Sequence, residues 1–163
     1  MSKIRDNQQL LPSVLDRLID YDPTTTTEAP MSKSQLLREL KQSVRRDLEF
    51  LLNTRWRCTQ WPLDMEELDV SLVNYGIPDF TGVNMSQQAE REQLRKVIEQ
   101  VIQKFEPRFK SVKVQLIPNK NAFDRLLRFR IDALLHADPA PEPVVFDSQL
   151  DTAAASFQVR GGM

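Results

Sequence analysis

Few side chains in this sequence could do covalent or acid–base chemistry. The 163 residues hold one cysteine, Cys58, and one histidine, His136, so a thiol protease would have to use both. Neither CxxC nor HExxH occurs, and His136 has no second metal ligand at a recognisable spacing. The four glycines form no loop that could cradle a phosphate. Acidic residues are plentiful, and a glycosidase would need two of them flanking a sugar groove. Aromatic residues, at 7%, offer few rings for stacking sugars. The reading is therefore no catalytic residues, no metal and no cofactor, with a muramidase as the remotest of the alternatives.

The most informative short motif is Glu106-Pro107-Arg108. It follows a helical pattern, and a glutamate at a helix C-terminus is locally unfavourable by a few tenths of a kcal/mol to about one. Pro107 pushes Glu106 out of the helical region. Arg108 then offers a planar fork suited to a carboxylate. The triplet predicts a rigid surface corner carrying two opposite charges. It reads either as a helix stop with a solvated ion pair or as a partner-binding corner. Trp56 and Trp61, amid Arg55 and Arg57, are interface anchors or plugs between helix and sheet. Cys58 reads as a small buried apolar residue.

The net charge is −1, so the chain as a whole has no bias toward nucleic acid or an anionic membrane. The near-neutral sum hides blocks. Cys58 to Ala89 contains acids and no Lys or Arg, Lys104 to Arg130 is mainly basic, and Ile131 to Val159 again lacks Lys and Arg. Such blocks make solvated faces or patches for partners. The basic block, with Phe105, Phe109, Phe123 and Phe129, is better explained as core plus solvated face than as a nucleic-acid surface. A single cysteine excludes an internal disulfide. No run approaches the roughly twenty apolar residues of a membrane helix, and the first residues lack the apolar core of a signal peptide. A cytoplasmic protein without membrane insertion is expected.

The elements that must position these residues follow from periodicity. Leu10, Leu11, Val14, Leu15, Leu18 and Ile19 predict a short amphipathic helix over 12–20, too short to stand alone. Leu15 and Leu18 are its candidate partner-binding residues. A Thr- and Pro-rich linker follows. Ser32 and Gln35 form a capping box for a helix striped by Leu36, Leu37, Leu40, Val44, Leu48, Leu51 and Leu52. Ser71–Phe80 reads as a short turn or helical turn, with Gly76 as a left-handed stop. Asn84 or Ser86 can cap a helix striped by Leu94, Val97, Ile98, Val101, Ile102 and Phe105.

The period then switches to two. Val112, Val114 and Leu116 make one strand and Leu127 to Leu135 a second, joined through Asn119-Lys120-Asn121. Pro143–Asp147 offers a third strand and Ala155–Val159 a weak fourth. The predicted fold is α+β, with amphipathic helices on one face of a small, mainly antiparallel sheet. The predicted division is a docking helix over 1–21, a linker over 22–33, a domain over 34–150 and a C-terminal strand or tail over 151–163.

Several fragments, in order, carry a family resemblance. They are Leu15-Asp16-Arg17-Leu18, Ser43-Val44-Arg45-Arg46-Asp47-Leu48-Glu49, Leu51-Leu52-Asn53-Thr54-Arg55, Asn74-Tyr75-Gly76-Ile77-Pro78-Asp79, Phe105-Glu106-Pro107-Arg108, Arg128-Phe129-Arg130-Ile131 and Pro143-Val144-Val145-Phe146-Asp147. Together they resemble the TssE/baseplate-wedge family, also labelled lysozyme-like. The resemblance implies a non-catalytic subunit, six copies per baseplate, seated on the TssF–TssG wedge near TssK. It further implies that Glu106, Pro107 and Arg108 belong to wedge assembly and sheath attachment. The first TssB–TssC sheath ring would bind here, and pairing of a sheath strand with an open sheet edge is the expected mode. A regulatory module of the same fold, of the anti-adaptor type, is the alternative.

Overall fold

The computed structural model describes residues 13–19, 24, 32–56, 64–80, 87–118, 126–137 and 140–161. Helix α1 spans Val14–Leu18, α2 Lys33–Asn53 and α3 Gln88–Phe105. Strands β1 (Phe109–Ile117), β2 (Leu126–Leu135), β3 (Glu142–Asp151) and β4 (Ser156–Gly161) follow. Two 3-10 turns, Glu66–Val70 and Leu72–Asn74, lie between α2 and α3.

Helix α2 starts where the sequence predicts. Gln35 N donates to Ser32 Oγ, and Ser32 N donates back to Gln35 Oε1 at 2.9 Å, which satisfies two backbone donors that the first turn leaves open. Its buried stripe is Leu40, Val44, Leu48, Leu51 and Leu52. Helix α3 buries Leu94, Ile98, Val101 and Ile102. Its expected caps, Asn84 and Ser86, lie outside the described residues, and Gln87 holds the N-cap position without a side-chain bond. The expected linker falls outside them too, apart from Thr24, Ser32 and Lys33, and so do Cys58, Trp61 and the turn at Asn119–Asn121.

The strands form one antiparallel meander in the order β1-β2-β3-β4. Burial alternates along each strand, so one sheet face is covered and the other open. Phe129, Ile131, Leu135, Phe146 and Leu150 are fully enclosed between sheet and helices. Each such side chain stabilises the fold by roughly 1.5–3 kcal/mol relative to exposure. The α+β reading holds, with the helices on one sheet face. The weak fourth strand is a full sheet member: β4 pairs with β3 from Asp151↔Ser156 to Phe146↔Gly161. Among the described residues no helix is long and apolar enough to cross a membrane.

Candidate partner-binding site

Helix α3 ends at Glu106, whose backbone N–H still donates to Ile102 O. Pro107 stops the helix and stays exposed, and β1 begins three residues after Glu106. The corner therefore forms as predicted, but its carboxylate is not at the surface. Glu106 is 5% exposed. Arg108 Nε donates to Glu106 Oε1 at 2.6 Å, and Arg108 Nη2 donates to Glu106 Oε2 at 2.5 Å. The same Nη2 reaches Asp47 Oδ2 on α2 at 2.7 Å, and Nη1 reaches Ser43 Oγ at 3.3 Å. Burial opposes the charge on Arg108, yet the bonds to Glu106 and then Asp47 raise its pKa well above the ordinary value.

Tyr75 closes the corner from the turn segment. Its ring meets Phe105 edge-on at 5.3 Å. Burial, then the negative charges of Asp47 and Glu106, push its phenol upward in pKa. The turn is brought here by an approach that only glycine allows. Gly76 has φ +112°, and a Cβ on it would lie 2.4 Å from Thr54 O. Ile77 N donates to Thr54 O and Trp56 N to Ile77 O, so the turn pairs with the end of α2. Trp56 is half-buried there.

The network continues to the N-terminal helix. Arg46 Nη2 bridges Asp47 Oδ1 at 3.0 Å and Asp16 Oδ1 at 2.8 Å. Ser43 Oγ donates to Asp16 Oδ2 at 2.6 Å, and Ser13 Oγ does the same at 2.6 Å. Burial would raise the Asp16 pKa, but the bonds from Ser13, Ser43 and Arg46 hold it down at about 2. Helix α1 thus meets α2 through its polar side. Val14, Leu15 and Leu18 are 73%, 55% and 76% exposed, so the candidate residues Leu15 and Leu18 point away from the fold.

Sequence reasoning singled out Glu106, Pro107, Arg108, Leu15 and Leu18. The structure joins Glu106 and Arg108 in one polar cluster and links it to α1 through Asp16, while Leu15 and Leu18 stand outside the cluster. The carriers of that link, Ser43, Arg46 and Asp47, and the Tyr75 ring that closes the corner are not singled out as site residues by the sequence. Their only signal was membership of the fragments that carry the family resemblance.

Neither sheet edge is open at its centre. On β4, Phe157 N donates to Asn53 Oδ1 at 2.8 Å, and Asn53 Nδ2 donates to Phe157 O at 2.9 Å. Arg45 Nη1 caps Val159 O at 3.1 Å, and Arg55 Nη2 caps Ala155 O at 2.7 Å. On β1, Val114 N donates to Glu99 Oε2 at 2.8 Å, and Arg95 Nη1 donates to Val114 O at 3.0 Å. Helix side chains stand where a neighbouring strand would be. The expectation of a ready-made edge for strand pairing is therefore corrected: the helices that cover the core also occupy the edges.

The family model for baseplate wedge protein gp25 matches residues 38–140. This chain belongs to the baseplate wedge gp25 family. It is accordingly a structural protein of a phage-tail-like baseplate. The matched stretch of this wedge protein takes in Ser43, Arg46, Asp47, Tyr75, Glu106 and Arg108, and leaves Asp16, β3 and β4 outside. No curated protein and no solved structure matches the chain.

Proposed function

We propose that this wedge protein is the TssE-type subunit of a type VI secretion baseplate. In that role it works in the cytoplasm without catalysis, six copies to a baseplate. It binds the TssF–TssG wedge near TssK and gives the first TssB–TssC sheath ring its footing. The observation that carries this reading is the family match over residues 38–140. The partly buried Glu106–Arg108–Asp47 cluster supports it by tying α2 to the corner where α3 turns into β1. Leu15 and Leu18, turned outward on α1, supply exposed apolar side chains for a wedge partner. A sheath strand added at β4 would first displace Asn53.

The test is co-purification of the full chain with co-expressed TssF and TssG, followed by imaging of labelled sheath in cells lacking the subunit. Recovery of a stable complex and loss of sheaths are expected. A chain that never co-purifies, in cells that still assemble normal sheaths, sinks the reading. Peptidoglycan clearing by pure protein, abolished by replacing one acid, would sink its non-catalytic part.

A further inference from the structure

The two 3-10 turns carry a surface that the polar corner does not use. Leu72 is 86% exposed, Val73 49%, Met65 48% and Val70 43%. Four large apolar side chains so exposed within nine residues are more than scattered surface hydrophobes. Met65 also lines an open hollow of about 460 Å³, together with Asp64, Glu67 and Leu68. Asp64, Glu67 and Asp69 are all exposed at the surface. No Lys or Arg occurs from Cys58 to Ala89, so the segment supplies no positive charge of its own.

The surface is held in shape from beneath. Asn74 is buried, and its Nδ2 donates to Asp69 O and Asp69 Oδ1, both at 3.0 Å. Lys104 on α3 reaches Asp69 Oδ2 at 2.7 Å. The backbone bonds turn back on the segment itself, from Leu68 N to Met65 O, Ser71 N to Leu68 O and Tyr75 N to Leu72 O. With its backbone so engaged, the segment gives no strand edge, and recognition has to run through side chains.

We propose that residues 64–73 form a docking surface for a basic amphipathic helix of a partner protein. Leu72, Val73 and Met65 take the apolar face of that helix, and Asp64 and Glu67 face its lysines or arginines. A membrane is the poorer fit, because an acidic rim is repelled by anionic headgroups. The inference rests on the turn segment alone and is independent of the baseplate reading.

The test uses the full chain, isotope-labelled, and a short helical peptide with a leucine face and a lysine face. The control peptide carries glutamate in place of every lysine. Backbone amide shifts are expected over 64–75, with little change on the open sheet face. Leu72→Ser is expected to weaken binding at least about tenfold, the effect of one leucine side chain kept out of the interface. The Asp64→Asn, Glu67→Gln double variant is expected to weaken it severalfold and to remove most of its salt dependence. All of these side chains are exposed, so circular dichroism of the variants is expected to match the parent. Equal binding of the glutamate peptide, unchanged affinity in Leu72→Ser, or shifts centred elsewhere would overturn the proposal. So would partition of the chain onto phosphatidylserine vesicles that Leu72→Ser abolishes.

Discussion

Arg108 holds Glu106 through two guanidinium nitrogens at 2.6 and 2.5 Å, and the carboxylate it holds is almost out of contact with water. Two residues that the sequence presents as an exposed pair are thus a partly buried one. Removing one member of such a pair strands the other, which costs roughly 3–5 kcal/mol.

Arg108→Ala is therefore expected to lower the melting temperature markedly, by roughly 2–4 °C per kcal/mol lost in a chain of this size. Glu106→Ala is expected to cost less, because Arg108 keeps Asp47 at 2.7 Å and is itself more exposed. Thermal melts of both variants decide it. Unchanged melts would return the triplet to the surface. Sheath defects in the unstable variant would reflect folding before contact, so assembly has to be scored in a variant that melts normally.

The Asp16 carboxyl gives a pH signature. Its folded pKa of about 2 lies below the ordinary 3.8. The stability it contributes is fully present above about 4 and is lost as pH falls through about 2. Asp16→Asn is expected to be less stable than the parent at neutral pH, with the gap narrowing between about pH 4 and 2. Urea midpoints across that range are the measurement, and a constant gap would mean that Asp16 keeps its ordinary pKa.

Leu15→Ser with Leu18→Ser tests the outward side of α1. Both side chains are more than half exposed, so the melting temperature is expected to stay within about 1 °C of the parent. Co-purification with TssF and TssG is expected to fall. Retained co-purification would take α1 out of the proposed wedge contact.

Asn53→Leu tests the edge of β4. The substitution leaves Phe157 N and Phe157 O without their partner, at a cost of about 1–3 kcal/mol. Faster hydrogen exchange at the Phe157 amide and a shift toward dimers in light scattering are expected. A monomer with unchanged exchange would mean that the amide is incidental to the edge.

Much of the fold is legible because its determinants are local. The alternation of Leu127, Phe129, Ile131, Ala133 and Leu135 with polar residues is a period-two signal on its own, and Ser32 with Gln35 marks a helix start within four residues. The site is less legible because its determinants are distant. Arg108, which grips Glu106, is also tied to Asp47, 61 positions before it, and the cap on Phe157 comes from Asn53, 104 positions away. No local pattern encodes either. The orientation of α1 is hidden for a related reason. Ser43 and Arg46 on α2 draw Asp16 inward and leave Leu15 and Leu18 outward, and nothing within α1 announces those two partners. The Glu66–Val70 turn escapes notice because one 3-10 turn has too few residues to show a period.

The helix side chains on the sheet edges act as tethered competitors. Each sits permanently beside the groups it binds, at an effective concentration that a free strand in solution does not reach. The two edges also answer differently to the medium. At β4 the competitor that grips Phe157 is a neutral amide, indifferent to salt. At β1 it is the Arg95–Glu99 ion pair, 3.0 Å apart and partly solvated, which added salt weakens. Raising ionic strength is therefore expected to speed exchange at the Val114 amide while leaving Phe157 nearly unchanged. Salt would then loosen the grip on β1 at Val114 while Asn53 still holds β4 at Phe157.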